Sequence, residues 1–138
     1  MVLTRDVEEF AGRVERFLAA SIDRNLLATV LWHARRRPLD PAPPLCACCL
    51  DADGWLVAAA LRTPPAPLLV SEIDAASAHA LIAAWLPADP GLPGVLALSS
   101  SARALAQAWE HASGLRSRRR TREVCYDCLL YTSDAADE

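Results

Sequence analysis

Thiols, arginines and imidazoles are the side chains in this sequence whose types and spacing suggest chemistry. Cys125 and Cys128 form a Cys-x-x-Cys pair, with Cys46, Cys48 and Cys49 upstream, and two such thiolate pairs would make a tetrahedral zinc site. That site needs Cys128, which belongs to a tail foreign to the rest of the chain, and without it Cys125 stands by itself. Cys46 and Cys48 lie two apart on an expected strand, so they point to one face and serve there as small buried hydrophobes. The expectation is no metal ion. Disulfides are not expected either, because nothing indicates an oxidising compartment and the strand geometry offers no evident partner.

Arg116, Arg118, Arg119, Arg120 and Arg122 are the one concentration of positive charge. Phosphate binding, to RNA, DNA or a nucleotide, is the functional reading, and it makes a stand-alone anion-binding or interaction module the alternative function for the chain. The competing reading is a solvated edge strand whose arginines block edge-to-edge pairing. It is favoured, because no aromatic residue interleaves the run to stack on a base and Tyr126 lies beyond it. His33, His79 and His111 fall on three expected helices without a partner at metal or triad spacing, and read as surface or boundary residues. Ser99, Ser100 and Ser101 lack the flanking glycines of a nucleophile elbow, so Ser100 or Ser101 reads as a helix cap. Trp32, Trp55, Trp85 and Trp109 fall one per element, as core residues do; an exposed one would point to a neighbouring domain.

The elements that must carry these residues follow from periodicity. Val7, Phe10, Ala11, Val14, Phe17 and Leu18 line one helical face behind Asp6 as N-cap, with Glu9 at the third helical position. A second helix follows Asp23, with Leu26, Leu27, Val30, Leu31 and Ala34 as its apolar stripe; Arg35, Arg36 and Arg37 suit its C-terminal dipole, and Pro38 stops it. Residues 38–44 hold four prolines and read as a stiff linker. Residues 45–50 and 55–62 flank the turn at Asp51 to Gly54 as a hairpin. Residues 68–73 make a third strand, entered through Pro64, Pro65 and Pro67. Asp74 caps a helix that presents Ala78, Leu81, Ile82, Trp85 and Leu86 and is closed by Pro87. Residues 95–99 form a buried strand, a helix with Leu105, Ala108, Trp109 and Ala112 inward ends at Gly114, and residues 116–126 form a last strand. With a short strand at residues 2–4, this alternation predicts an α/β sandwich: a mixed sheet covered by helices.

At 138 residues, 53% hydrophobic and 22% charged, the chain has the size and composition of one domain, outside the disordered and collagen-like classes. No apolar run reaches the roughly 18–20 residues of a membrane helix. Asp6, Glu8 and Glu9 spoil a signal-peptide reading, so a cytoplasmic protein with no membrane partner is expected. All 14 basic residues are arginine and 27 residues are alanine, a bias that fits a GC-rich bacterial genome. Residues 128–138 resemble the translated read-through of a sequencing-library adapter and are set apart as a non-native tail, leaving 1–127 as the domain. Their removal takes away Asp134, Asp137 and Glu138, so 14 basic residues face 17 − 3 = 14 acidic ones. A neutral domain has no long-range attraction for nucleic acid.

The element order resembles the acyl-CoA N-acyltransferase fold of the GNAT superfamily. The stretch from Asp23 to Leu31 (DRNLLATVL), that from Val57 to Pro65 (VAAALRTPP) and that from Pro67 to Ser71 (PLLVS) are similar to the N-terminal region of bacterial GNAT-family N-acetyltransferases. The resemblance implies an acetyl-CoA-dependent parent protein that transfers acetyl to a small-molecule or peptide amine after a general base takes the amine's proton. It also implies a cofactor loop of the form Arg/Gln-x-x-Gly-x-Gly/Ala where a strand feeds a helix. The equivalent stretch here, from Ser71 to His79 (SEIDAASAH), contains no glycine and carries Glu72 and Asp74, two carboxylates that would repel a diphosphate at a helix start. The proteins it resembles carry a second, downstream acetyltransferase domain with an intact loop, so the resemblance implies that this is a degenerate first domain, cut before that C-terminal catalytic domain. No catalytic, cofactor-binding or metal-binding residue is assigned within it.

Overall fold

The computed structural model describes residues 1–36 and 43–114, and the backbone of two short strands at Arg118–Arg119 and Cys125–Asp127. Most of the proline linker and the whole of residues 128–138, the segment expected to be a non-native tail, lie outside the described residues. The elements run β1 (Val2–Thr4), α1 (Val7–Ala19), a 3-10 turn (Ile22–Arg24), α2 (Asn25–Arg35), β2 (Leu45–Leu50), β3 (Leu56–Arg62), β4 (Leu68–Val70), α3 (Ala75–Ala88), β5 (Val95–Leu96), α4 (Ser99–Ser113), β6 (Arg118–Arg119) and β7 (Cys125–Asp127). The expected mixed α/β class is the observed one.

Local chemistry sets most of these boundaries. Asp6 caps α1, its carboxylate accepting from the N–H groups of Glu8 at 3.0 Å and Glu9 at 3.1 Å. Glu9 does not close a reciprocal capping box; its carboxylate meets Thr4 and Arg13, while the Thr4 hydroxyl accepts from the Asp6 N–H. In the hairpin turn Asp51 accepts from the N–H groups of Asp53 and Trp55, both at 2.9 Å, and Gly54 takes a φ of 87°, where a side chain would be strained. Gly114, at φ 77°, ends α4 in the left-handed conformation.

The sheet has the order β1-β2-β3-β4-β5-β7-β6. The β4–β5 pair is parallel, through Leu68 opposite Val95 and Leu69 opposite Leu96, and each of the other pairs is antiparallel. The period-two alternation of β2 divides the core in two. Cys46 and Cys48 join Ala59, Leu61 and Leu69 against Phe10, Val14, Leu27 and Leu31 of α1 and α2. Leu45, Ala47 and Cys49 join Ala58, Ala60, Leu68 and Val70 against Leu81, Ile82, Trp85, Leu105 and Trp109 of α3 and α4. The central strands are rich in alanine, a poor strand former, so helices packed on both faces hold the strand conformation there.

Several boundaries depart from the sequence reading. The third strand stops at Val70 instead of 73, and the fourth holds only Val95–Leu96. Pro87 lies inside the last turn of α3, which continues to Ala88, because the one donor proline lacks leaves a single unmade bond near a helix end. The N-cap of α4 is Leu98, without a side-chain cap, so Ser100 and Ser101 do not cap it. The expected last strand over 116–126 is two strands, β6 and β7, paired antiparallel with β7 against β5. Arg118 and Arg119 are thus on the edge strand of the sheet, the position the solvated-edge reading requires; the rest of the arginine run lies outside the described residues.

Candidate functional site

The parallel pair β4–β5 opens into a cleft. After Leu69 and Leu96 the two strands part. Ser71 stays with β3, its N–H donating to the Ala59 carbonyl at 2.9 Å and its hydroxyl accepting from the Ala59 N–H at 2.9 Å, whereas β5 passes through Leu98 into α4. The 3-10 turn and the start of α2 form the opposite wall. The result is a cleft of about 270 Å³ whose apolar lining includes Ile22, Leu26, Leu27, Leu69, Leu96 and Leu98.

Its polar feature is an ion pair that sequence reading missed. Arg24 donates through Nε and Nη2 to the Glu72 carboxylate, with Nη2 to Oε2 at 2.6 Å. The same guanidinium donates from Nη1 to the Phe17 carbonyl at 2.6 Å and lies 3.7 Å over the Phe17 ring. Arg24 is therefore fixed on three sides. Its hydrogen bonds hold the Glu72 carboxyl below the usual range, against the smaller opposing effect of burial. A carboxylate so stabilised is a weak base, so Glu72 is unsuited to take a proton from an amine.

The strand-to-helix corner beside this cleft also differs from expectation in how it disfavours a diphosphate. Glu72 does not act as a free negative charge there, because Arg24 answers it. Asp74 is the obstacle: its Oδ1 accepts the Ser77 N–H at 2.7 Å, which holds its carboxyl below the usual range and places an internal anion on the α3 N-terminus. A shallow hollow of about 280 Å³ next to it is lined by Asp74, Ser77, Ser100 and Ser101 among others. Ser101 ties the starts of both helices together, accepting the Ile73 N–H at 2.8 Å. With no glycine to bring backbone close to a phosphate and a carboxylate already capping the helix, the corner does not fit the diphosphate of a coenzyme A.

Cys46 and Cys48 are buried on one face of β2, as the sequence reading has them. Cys46, Cys48 and Cys49 are buried and free, and burial is the chief cause raising each thiol, Cys46 to about 12 and Cys49 to about 11. Such thiols are poor ligands and nucleophiles. Among the described residues no group of three His, Cys, Asp or Glu gathers at metal-binding distance.

Two readings need correction. Trp85 and Trp109 are in the core, but Trp32 is 51% exposed with the Arg36 guanidinium 3.6 Å over its ring, and Trp55 is 73% exposed at the hairpin end. His79 and His111 are exposed, as the surface reading has them, but they are not without a partner: their rings meet with centroids 5.7 Å apart. A contact between residues 32 apart on two helices leaves no local signature in sequence.

Among the described residues no helix is long and apolar enough to cross a membrane. No protein-family model, curated protein or solved structure matches the chain.

Proposed function

We propose that this chain is the N-terminal domain of a bacterial GNAT-family N-acetyltransferase, non-catalytic by itself, which scaffolds the substrate side of a catalytic domain that follows it in the parent protein. The reading places it in the cytoplasm and assigns acetyl-CoA binding and acetyl transfer to the parent's second domain. The observation that supports it is the element order, two helices after a first strand and then three strands, a helix, a strand and a helix, the order on which the sequence resemblance rests; the chain then closes with a pair of strands in place of the single one expected.

Two further features support a non-catalytic role. The helix start where the cofactor's diphosphate belongs is capped by Asp74, and the neighbouring carboxylate, Glu72, is held in its ionised form by Arg24. Large apolar side chains also face outward, Ile22 and Leu26 at the cleft, Trp32 along α2 and Trp55 at the hairpin end, as side chains covered by another domain would.

The test is calorimetric titration of the 138-residue chain with acetyl-CoA, paired with sequencing of the longer reading frame. The expected results are no saturable binding and a continuation past residue 127 that carries an Arg/Gln-x-x-Gly-x-Gly/Ala loop. A stop codon at that point overturns the two-domain reading, and tight acetyl-CoA binding overturns the non-catalytic one.

A further inference from the structure

We propose that His79 and His111 form a two-imidazole site for a divalent transition-metal ion of the zinc, nickel and copper class, clipping α3 to the last turn of α4. The proposal is independent of the acetyltransferase reading. Its basis is the distance between the rings, whose centroids are 5.7 Å apart with planes at 80°.

An ion bound to an imidazole nitrogen at about 2.0–2.1 Å lies about 3.2 Å from that ring's centroid. Two rings sharing one ion at the tetrahedral angle therefore have centroids about 5.2 Å apart, and a linear arrangement stretches this to about 6.4 Å. The observed separation falls between those limits. Sharing one ion requires the two rings to turn about their side-chain torsions from the present 80° edge contact until a lone pair of each meets the same point. Both residues are exposed, so this rotation is open to them and the other coordination positions are open to water.

The scaffold is preorganised. His79 is one turn into α3 and His111 is in the last turn of α4, and the two helices are held by the packing of Leu81, Ile82 and Trp85 with Leu105, Ala108 and Trp109. Folding has thus already met the entropy of bringing the ligands together. Neither ring makes a hydrogen bond or ion pair with another described residue, so among those residues ion binding replaces only the edge contact between the rings. Imidazole selects the ion class, since magnesium and calcium require oxygen ligands. With two protein ligands and water in the remaining positions, the site is a structural clip.

The test uses nickel chloride with the intact 138-residue chain, followed by calorimetry and thermal melting. One saturable ion per chain and a raised melting temperature are expected, with no effect of magnesium chloride. His79→Ala and His111→Ala each forfeit the intramolecular second ligand, which lowers affinity about a hundredfold. His33→Ala retains binding, and so does a chain carrying Cys125→Ser and Cys128→Ser. Circular dichroism of each variant without metal establishes that it is folded. Absence of saturable binding at millimolar nickel, survival of full affinity in both His79→Ala and His111→Ala, or loss of binding in the double serine variant overturns the proposal.

Discussion

Arg62 and Asp89 meet across 27 residues of chain, the Arg62 Nη1 donating to both carboxylate oxygens of Asp89 at 2.7 and 2.9 Å. Their side chains are only 10% and 17% exposed. Arg62 also donates from Nε to the Ala66 carbonyl, and the Trp85 indole N–H donates to Asp89 Oδ2 at 3.0 Å. The carboxylate sits at the C-cap of α3, where the helix dipole disfavours an anion, so the guanidinium is what permits a charge there. The pair pins the end of α3 to the end of β3 and to the proline-rich turn that follows it.

Arg62→Met strands the Asp89 charge, and removing one partner of a buried pair costs about 3–5 kcal/mol. Asp89→Asn keeps an acceptor for Trp85 and is expected to cost less. Urea denaturation of the two variants measures both. A loss below about 1 kcal/mol for Arg62→Met would show that the pair is not the anchor described.

What could be read from the sequence divides by range. The cap at Asp6, the turn at Asp51 to Gly54, the stop at Gly114 and the two-faced alternation of Cys46 to Cys49 rest on neighbours a few residues apart, and each is where its pattern put it. The Arg62–Asp89 and Arg24–Glu72 pairs and the His79–His111 contact join residues 27, 48 and 32 positions apart. Nothing local distinguishes those side chains from solvated ones. Trp32 and Trp55 were misplaced for a related reason: apolar character gives the tendency to be buried, while the fold decides which surface is available to bury it. The cleft was invisible because it arises where two parallel strands part, a consequence of Ser71 staying with β3.

The Arg24–Glu72 pair gives stability a definite pH dependence. Glu72 is held below its ordinary value of 4.5 in the folded chain, chiefly by hydrogen bonds from Arg24. For a depressed carboxyl the contribution is present in full above the unfolded value and is lost as pH falls through the folded one. The wild-type chain should therefore lose more stability between neutral pH and pH about 3 than Glu72→Gln does, the remaining acids being common to both. Arg24→Lys is expected to weaken the pair at neutral pH, since an ammonium cannot reproduce the fork or the stacking on Phe17. Parallel urea titrations at the two pH values measure the difference; equal losses in wild type and Glu72→Gln would show that the pair does not couple to folding.

Burial of the strand thiols makes a prediction about reactivity. With Cys46 pushed up to about 12 and Cys49 to about 11, almost no thiolate is present near neutral pH. In a chain with Cys125→Ser and Cys128→Ser, a thiol-specific chromogenic disulfide should label Cys46, Cys48 and Cys49 at least about a hundredfold more slowly in buffer than in guanidinium chloride. Rapid labelling of the folded chain at any of the three would mean that β2 is accessible and that its cysteines are not core residues.

Asp74 makes the most direct prediction about the candidate site, because it is argued to occupy the place an external anion would take. Asp74→Ala removes the carboxylate that accepts the Ser77 N–H and leaves the starts of α3 and α4 facing one hollow whose remaining carboxylate, Glu72, is paired with Arg24; α4 has no side-chain cap of its own. The variant should melt lower than wild type in chloride, and sulfate at matched ionic strength should recover it by more than it raises the wild type, because sulfate accepts from free N–H groups at a helix start. The comparison must be a difference, since sulfate stabilises folded proteins generally. Asp6→Ala is the control: it also uncaps a helix, yet the start of α2, which lacks a side-chain cap too, lies with Arg24 at Phe17 near the other end of α1, so sulfate should rescue this variant less. Equal sulfate effects on wild type, Asp74→Ala and Asp6→Ala would mean that the corner has no anion-binding capacity for Asp74 to satisfy, and the explanation given for its poor fit to a diphosphate would be wrong.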